Sequence, residues 1–169
     1  MSKIFSISLN ILDEDDCLMS FFWRYSQMKY DYFLFGDLLI FDTTYRTNYY
    51  EMTYAPLVYM NHHVKNVKVG CEFLMNEKVE SFVWLFESFL KVVDNVQPKT
   101  MMTDQTFSIE NATKEVFLSA KYRLCTWHAL ENSKKNIDCF RVFGGFVDKF
   151  GHVLIKCDIE AEFNFCWHR

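Results

Sequence analysis

The sequence predicts a mixed α/β domain, and three observations carry that prediction. Near its start, over Ile4–Ile11, the chain alternates apolar Phe5, Ile7, Leu9 and Ile11 with polar residues, which is strand periodicity. A later segment repeats apolar residues at helical spacing (Val79, Phe82, Val83, Phe86, Phe89, Leu90, Val93). After it, short apolar runs and helical segments take turns, so strands arranged as hairpins give way to strands alternating with helices. That order implies a mixed sheet covered on both faces.

Each element follows from local pattern. In Ile4–Ile11, Phe5, Ile7, Leu9 and Ile11 face one way and Ser6, Ser8 and Asn10 the other. The acidic turn Asp13-Glu14-Asp15-Asp16 leads into a second aromatic strand, Leu18–Tyr25, which makes a hairpin with a longer loop. Gly36-Asp37 opens the continuous apolar run Leu38-Leu39-Ile40-Phe41, ended by Asp42. A short run of this kind suits a central strand buried on both faces. Met52–Met60 and Val64–Leu74 are two further strands joined around Asn61-His62-His63. The stripe over Val79–Val93 is an amphipathic helix facing the core. Pro98 then resets the chain, and Thr100–Thr103 forms a strand ending at Asp104. A helix over Ser108–Phe117, a strand over Tyr122–Cys125 and a helix from Trp127 to Asn136 follow. Ile137–Lys156 has no clear period and is interrupted at Gly144-Gly145, and Asp158 is placed to cap a last helix starting at Ile159.

Composition narrows the function classes. Half of the 169 residues are hydrophobic and 18 are Phe, enough for a packed core and unlike a disordered chain. One domain spanning residues 1–169 is the expectation, with its motif-bearing core at about 35–136. The net charge of −4 argues against a free-standing duplex-binding module, which needs Lys and Arg for phosphate contacts. Acidic metal ligands, by contrast, would themselves make the charge more negative. Six cysteines occur without a Cys-x-x-Cys pair, and no secretory signal is visible, which fits reduced thiols in cytosol or nucleus. No apolar run approaches the roughly 20 residues of a membrane span. The longest basic run, Lys134-Lys135, is too short for a nuclear import signal.

Chemistry could gather where Asp42 and Asp104 end two buried strands. In open α/β sheets, sites form beyond the carboxyl ends of strands. Two adjacent carboxylates repel each other and invite a divalent cation. With a third acid they would form a two-metal site, its ions about 3.5–4 Å apart, clamping the oxygens of a phosphodiester. Mg²⁺ suits such hard oxygen ligands. The plainer alternative is that both acids are strand-end turn formers. Cys125-x-x-His128 offers two soft ligands, and Cys139 and His152 could add two more. A closed zinc site needs about four, so the alternative is a structural pair at a helix start. His62 and His63 are adjacent and would point to opposite faces of a strand; a turn is the better reading for them.

Several blocks carry a resemblance. Phe35-Gly36-Asp37 through Phe41-Asp42-Thr43-Thr44-Tyr45-Arg46-Thr47-Asn48 is similar to a block of the far-red-impaired response family. So are Ala55-Pro56 with Asn61-His62-His63, Glu80–Phe86, Pro98-Lys99-Thr100, Thr103-Asp104-Gln105 and Arg123-Leu124-Cys125-Thr126-Trp127-His128. They occur in order over most of the chain. That family derives from Mutator-like element (MULE) transposases, so the resemblance implies an RNase H-like fold with a DDE acid triad. Asp42 matches the first acid and Asp104 the second. The third is expected near the C-terminus, where Ala161-Glu162-Phe163-Asn164-Phe165-Cys166-Trp167 resembles the family's "EEFExxW". Glu162 is the candidate, with Glu160 as the alternative. Ala161 and Asn164 stand where the family often has Glu, and a ligand position at 164 would leave the triad broken. The Cys125-x-x-His128 pair matches the C-x-x-H signature of these cores.

The resemblance implies a nuclear protein of light-linked transcriptional control, with homo- or heterodimer contacts through this core. It implies Mg²⁺ only if the triad works, and zinc in full-length members through a DNA-binding domain and a SWIM finger. Neither zinc domain is found here, so the chain is read as a truncated, transposase-derived core that contacts DNA weakly or indirectly and no membrane. The contrasting expectations are a DDE recombinase that cleaves and transfers DNA strands, and a degenerate fragment without a role of its own.

Overall fold

The computed structural model describes residues 6–43, 48–136, 145–157 and 159–167. These residues form two β-sheets and six helices, a mixed α/β arrangement, and the chain divides into two compact units, Met1–Arg123 and Leu124–Arg169. No helix among the described residues is long and apolar enough to cross a membrane.

The first unit opens with the expected hairpin. Strands β1 (Ser6–Leu12) and β2 (Leu18–Tyr25) pair antiparallel, with a register shift at Ile11/Leu12. The acidic turn closes through one side chain. Asp13 Oδ1 accepts the N–H groups of Asp15 at 3.0 Å and Cys17 at 2.8 Å, a job suited to a short carboxylate at a turn. Helix α1 (Ser26–Phe35) comes next. Nothing in the sequence pattern announces it, because its apolar residues are spread around the helix instead of forming a stripe. Tertiary contacts hold it: Tyr32 is buried, donates its hydroxyl to the Val96 carbonyl at 3.0 Å, and meets the Phe89 ring edge-on at 5.0 Å.

Strand β3 (Leu38–Phe41) lies in the middle of a five-stranded sheet ordered β6-β5-β3-β8-β9. Its burial is one-sided: Leu39 and Phe41 are fully buried, while Leu38 and Ile40 are only partly covered. The next two expected strands are each broken in two. They become β4 (Thr53–Tyr54) with β5 (Leu57–Met60), and β6 (Asn66–Lys68) with β7 (Cys71–Leu74). Together they form one bent hairpin that serves both sheets. β5 and β6 belong to the five-stranded sheet, and β7 and β4 to a four-stranded sheet ordered β1-β2-β7-β4. The ladder runs through the bend, with Ala55 N–H donating to Glu72 O at 3.1 Å and Val69 N–H to Leu57 O at 2.9 Å. Pro56, which has no donor, stands at the bend of one strand. Gly70 stands at the bend of the other, where an added Cβ would lie 2.3 Å from Glu72 Oε1 and 3.0 Å from the Phe22 ring. The tip of the hairpin is a turn, as expected for the His62-His63 pair. Asn61 Oδ1 accepts the N–H groups of His63 and Lys65 at 3.0 and 3.1 Å.

Helix α2 (Val79–Val92) is the centre of the unit. Phe82, Leu85, Phe86, Ser88, Phe89 and Leu90 are all buried, so apolar surface is covered nearly all round. Phe82 and Phe86 pack on Phe41 of β3, and Phe86 and Phe89 on Phe117 beyond α3 (Phe107–Val116). Strand β8 (Thr100–Thr103) pairs parallel to β3, and β9 (Lys121–Leu124) forms the far edge of that sheet. The carboxyl end of α2 is closed from another element. Arg24 on β2, buried to 3%, donates to the Val92 carbonyl at 2.6 Å and to the Tyr25 carbonyl at 3.1 Å. A cation at a helix C-terminus is favoured by the peptide dipoles. Burial pulls the Arg24 pKa down, and nearby Asp94 opposes that shift. Arg24→Ala is expected to lower stability by about 1.5–3 kcal/mol, the range for a hydrogen bond to a charged group, read as a shift in the urea midpoint.

The second unit holds α4 (Thr126–Asn136), α5 (Phe146–Lys156) and α6 (Glu160–Trp167). The Gly145 break is confirmed: Gly145 sits at φ 86° just before α5, a conformation that favours glycine. Asp158, the expected cap of the last helix, lies outside the described residues.

Candidate functional site

Asp42 and Asp104 each stand one residue past a strand, β3 and β8 respectively. The two strands are parallel neighbours with Leu38 opposite Thr100, Leu39 opposite Met101 and Ile40 opposite Met102. Continuing that register by two residues sets Asp42 beside Asp104. Parallel strands in register send matched residues to the same face and lie about 4.8 Å apart. The two acids therefore share one rim at the carboxyl ends of the central strands, where ligand sites form in open sheets. Both residues are half-buried.

Asp104 also has a local role. Its Oδ1 accepts the Thr106 N–H at 3.0 Å and its Oδ2 the Thr106 hydroxyl at 2.8 Å. Thr106 is the residue at which α3 begins, so the carboxylate turns the chain into that helix and places negative charge at its start. Beneath it, the Thr103 hydroxyl lies 2.8 Å from the Tyr122 hydroxyl, which reaches the Asp104 carbonyl at 3.3 Å. Burial pushes the Tyr122 phenol pKa up, so the hydroxyl keeps its proton and remains a donor. The donor set fits Mg²⁺ in kind, since it offers two hard carboxylates. Carboxylate oxygens that each accept one bond still have a lone pair for a cation.

The remaining candidates lie in the second unit. Glu162 and Glu160 are both exposed on α6. Two residues apart on a helix, they occupy different faces, and Glu160 shares its face with Asn164 instead. Cys125 and His128 flank the start of α4, three residues apart and so on one side of it. Cys125 O accepts the Ala129 N–H at 3.0 Å, and His128 contacts the Trp127 ring at 4.7 Å. The residues that could complete a zinc set with Cys125 and His128 are Cys139 and His152. Cys139 lies outside the described residues, and His152 groups with Cys157 and Cys166, the only cluster of three or more metal-capable side chains among the described residues. The cause is chain direction: Cys157 follows α5 directly, and α6 carries Cys166 back toward it. The irregular spacing His-x4-Cys-x8-Cys matches no familiar pattern, so the sequence offered no signal for it.

A MULE transposase domain model matches residues 38–132, more than half of the chain. The chain belongs to the MULE transposase domain family. This MULE domain is similar to three Arabidopsis thaliana proteins among others. It is 34% identical to Protein FAR1-RELATED SEQUENCE 5 over 91% of this chain and 20% of that protein. It is 33% identical to Protein FAR1-RELATED SEQUENCE 4 over 91% of this chain and 21% of that protein. It is 29% identical to Protein FAR-RED IMPAIRED RESPONSE 1 over 92% of this chain and 19% of that protein. The chain thus spans about a fifth of the length of these relatives. The matched MULE segment contains Asp42, Asp104, Cys125 and His128, whereas Glu162 and the His152-Cys157-Cys166 cluster lie beyond it.

Proposed function

We propose that this MULE domain is an RNase H-like core retained for regulation: a nuclear, transposase-derived protein of far-red-impaired response type that acts on transcription through protein contacts and does not cut DNA. The observation that carries this reading is Asp104. Both of its carboxylate oxygens serve the turn into α3, a structural duty that would keep the acid in place after catalysis was lost. The net charge of −4 supports weak duplex binding, because phosphate contacts need cations. The similarity to FAR-RED IMPAIRED RESPONSE 1 supports the far-red, light-linked side of the reading.

A second reading rests on the shared rim of Asp42 and Asp104. These two carboxylates would hold Mg²⁺ for DNA strand cleavage and transfer. Bound metal would supply charge neutralisation at the phosphodiester, and the chain's own part would be to fix two carboxylates on neighbouring strands. Incubation with supercoiled plasmid and pre-cut duplex in Mg²⁺ or Mn²⁺ separates the readings. The regulatory reading expects no nicking and no strand transfer, together with a complex with a far-red-impaired response relative by size-exclusion chromatography. Strand transfer that disappears in Asp42→Ala would establish the enzyme and overturn the proposal.

A further inference from the structure

The second unit carries three metal-capable side chains that neither reading uses. His152 lies on α5, Cys157 directly follows that helix, and Cys166 lies on α6. One ligand atom from each falls within 4.8 Å of both others. Four-coordinate zinc has Zn–S distances of about 2.3 Å and Zn–N of about 2.0–2.1 Å, so tetrahedral ligands stand roughly 3.4–3.8 Å apart. The remaining gap is about an ångström, which is within reach of side-chain rotation. His152 is exposed and both cysteines are half-buried, so an ion can enter from solvent. His152 and Cys166 also line a cavity of about 530 Å³ with Asp148, Lys149, Val153 and Phe165.

The packing of α6 shows what an ion would do there. This helix has eight residues and buries none of them. Helices this short are marginal in water without tertiary support. Trp167 tilts against Phe150 of α5 at 6.3 Å and stacks on Phe163 within α6 at 5.7 Å. We propose that His152, Cys157 and Cys166 bind a zinc ion, with water in the fourth position, that ties the end of α5 to α6. Two thiolates and an imidazole select a soft or borderline ion over Mg²⁺ or Ca²⁺. These three ligands share no residue with the acid pair Asp42 and Asp104 or with the Cys125-His128 pair.

Cobalt substitution tests it on the intact 169-residue chain under reducing conditions. One Co²⁺ per chain is expected, with thiolate charge-transfer absorption and the intense visible bands of tetrahedral cobalt, displaced by Zn²⁺. Cys157→Ser, Cys166→Ser and His152→Ala should each weaken binding at least tenfold, and the double cysteine variant should abolish the thiolate bands. Cys17→Ser and Cys71→Ser should leave the titration unchanged. Zinc should also slow amide exchange across α6, an effect absent from the double variant. Bands that persist in the double variant, bands that vanish in Cys125→Ser alone, or exchange in α6 indifferent to zinc would each overturn the proposal.

Discussion

Replacing Phe86 by alanine should cost about 3–5 kcal/mol, the usual price for emptying a buried aromatic site, out of a total that for domains of this kind is about 5–15 kcal/mol. Phe86 has no exposed surface and stands between two elements. Its ring centroid lies 5.0 Å from Phe41 on β3 and 5.1 Å from Phe117 beyond α3. The lost side chain would leave a cavity bounded by a helix and a sheet, which cannot both collapse onto it. Urea unfolding of Phe86→Ala and Phe86→Leu measures the effect, and leucine should recover more than half of the loss. A double-mutant cycle with Phe41→Leu should return a coupling of about 0.5–1.5 kcal/mol, the range for aromatic pairs. Phe41 immediately precedes Asp42, so the same packing fixes the end of β3 and the acid rim. A loss under about 1 kcal/mol in Phe86→Ala would mean that this ring is not central to the core.

Glu72 should make the chain less stable as pH rises, and Glu72→Gln should remove that dependence. Glu72 is fully buried on β7, and among the described residues neither carboxyl oxygen has a hydrogen-bond partner. Burial pushes its pKa well above the ordinary 4.5; the Leu57 backbone and Lys68 pull the other way, without a hydrogen bond of good geometry to offset the loss of water. The folded chain therefore holds this proton more tightly than the unfolded chain does. The stabilisation that goes with the proton is complete below pH 4.5 and declines above it, by about 1.4 kcal/mol per pH unit until the folded-state pKa is reached. Glutamine is neutral at every pH and similar in shape. Urea midpoints of the two proteins should coincide near pH 4 and separate in favour of Glu72→Gln by pH 8. Parallel curves over that range would show that the carboxyl gains water or a partner in solution.

The strands that end before Asp42 and Asp104, and the long central helix, were largely legible in the sequence, for a physical reason. A run such as Leu38–Phe41 ended by Asp42 states both burial and its limit, and the Val79–Val93 stripe states a helix and its inner face. Three features were not legible. The break of Met52–Met60 and Val64–Leu74 into strands of two sheets depends on which side chains crowd Gly70, namely Phe22 and Glu72, and those meet only in the folded chain. Helix α1 has no apolar stripe and rests on Tyr32 contacts more than 60 residues away in sequence. The His152-Cys157-Cys166 cluster arises from the reversal between two helices, which fixes distance without leaving a recognisable spacing. Glu72 shows the same limit from the other side. Its neighbours on β7 mark a strand, but alternation alone does not reveal that a carboxylic acid occupies the inward face.

The bent hairpin at Pro56 and Gly70 joins the fate of the two sheets. Since one pair of chain segments supplies strands to both, neither layer can peel away while the other survives. Fraying at the edge held by β4 is transmitted along the same backbone to the strand that flanks Asp42. Denaturation of residues 6–123 should accordingly be all-or-none, with tryptophan fluorescence from Trp23 in one sheet and Trp84 on the central helix reporting a single, superimposable transition.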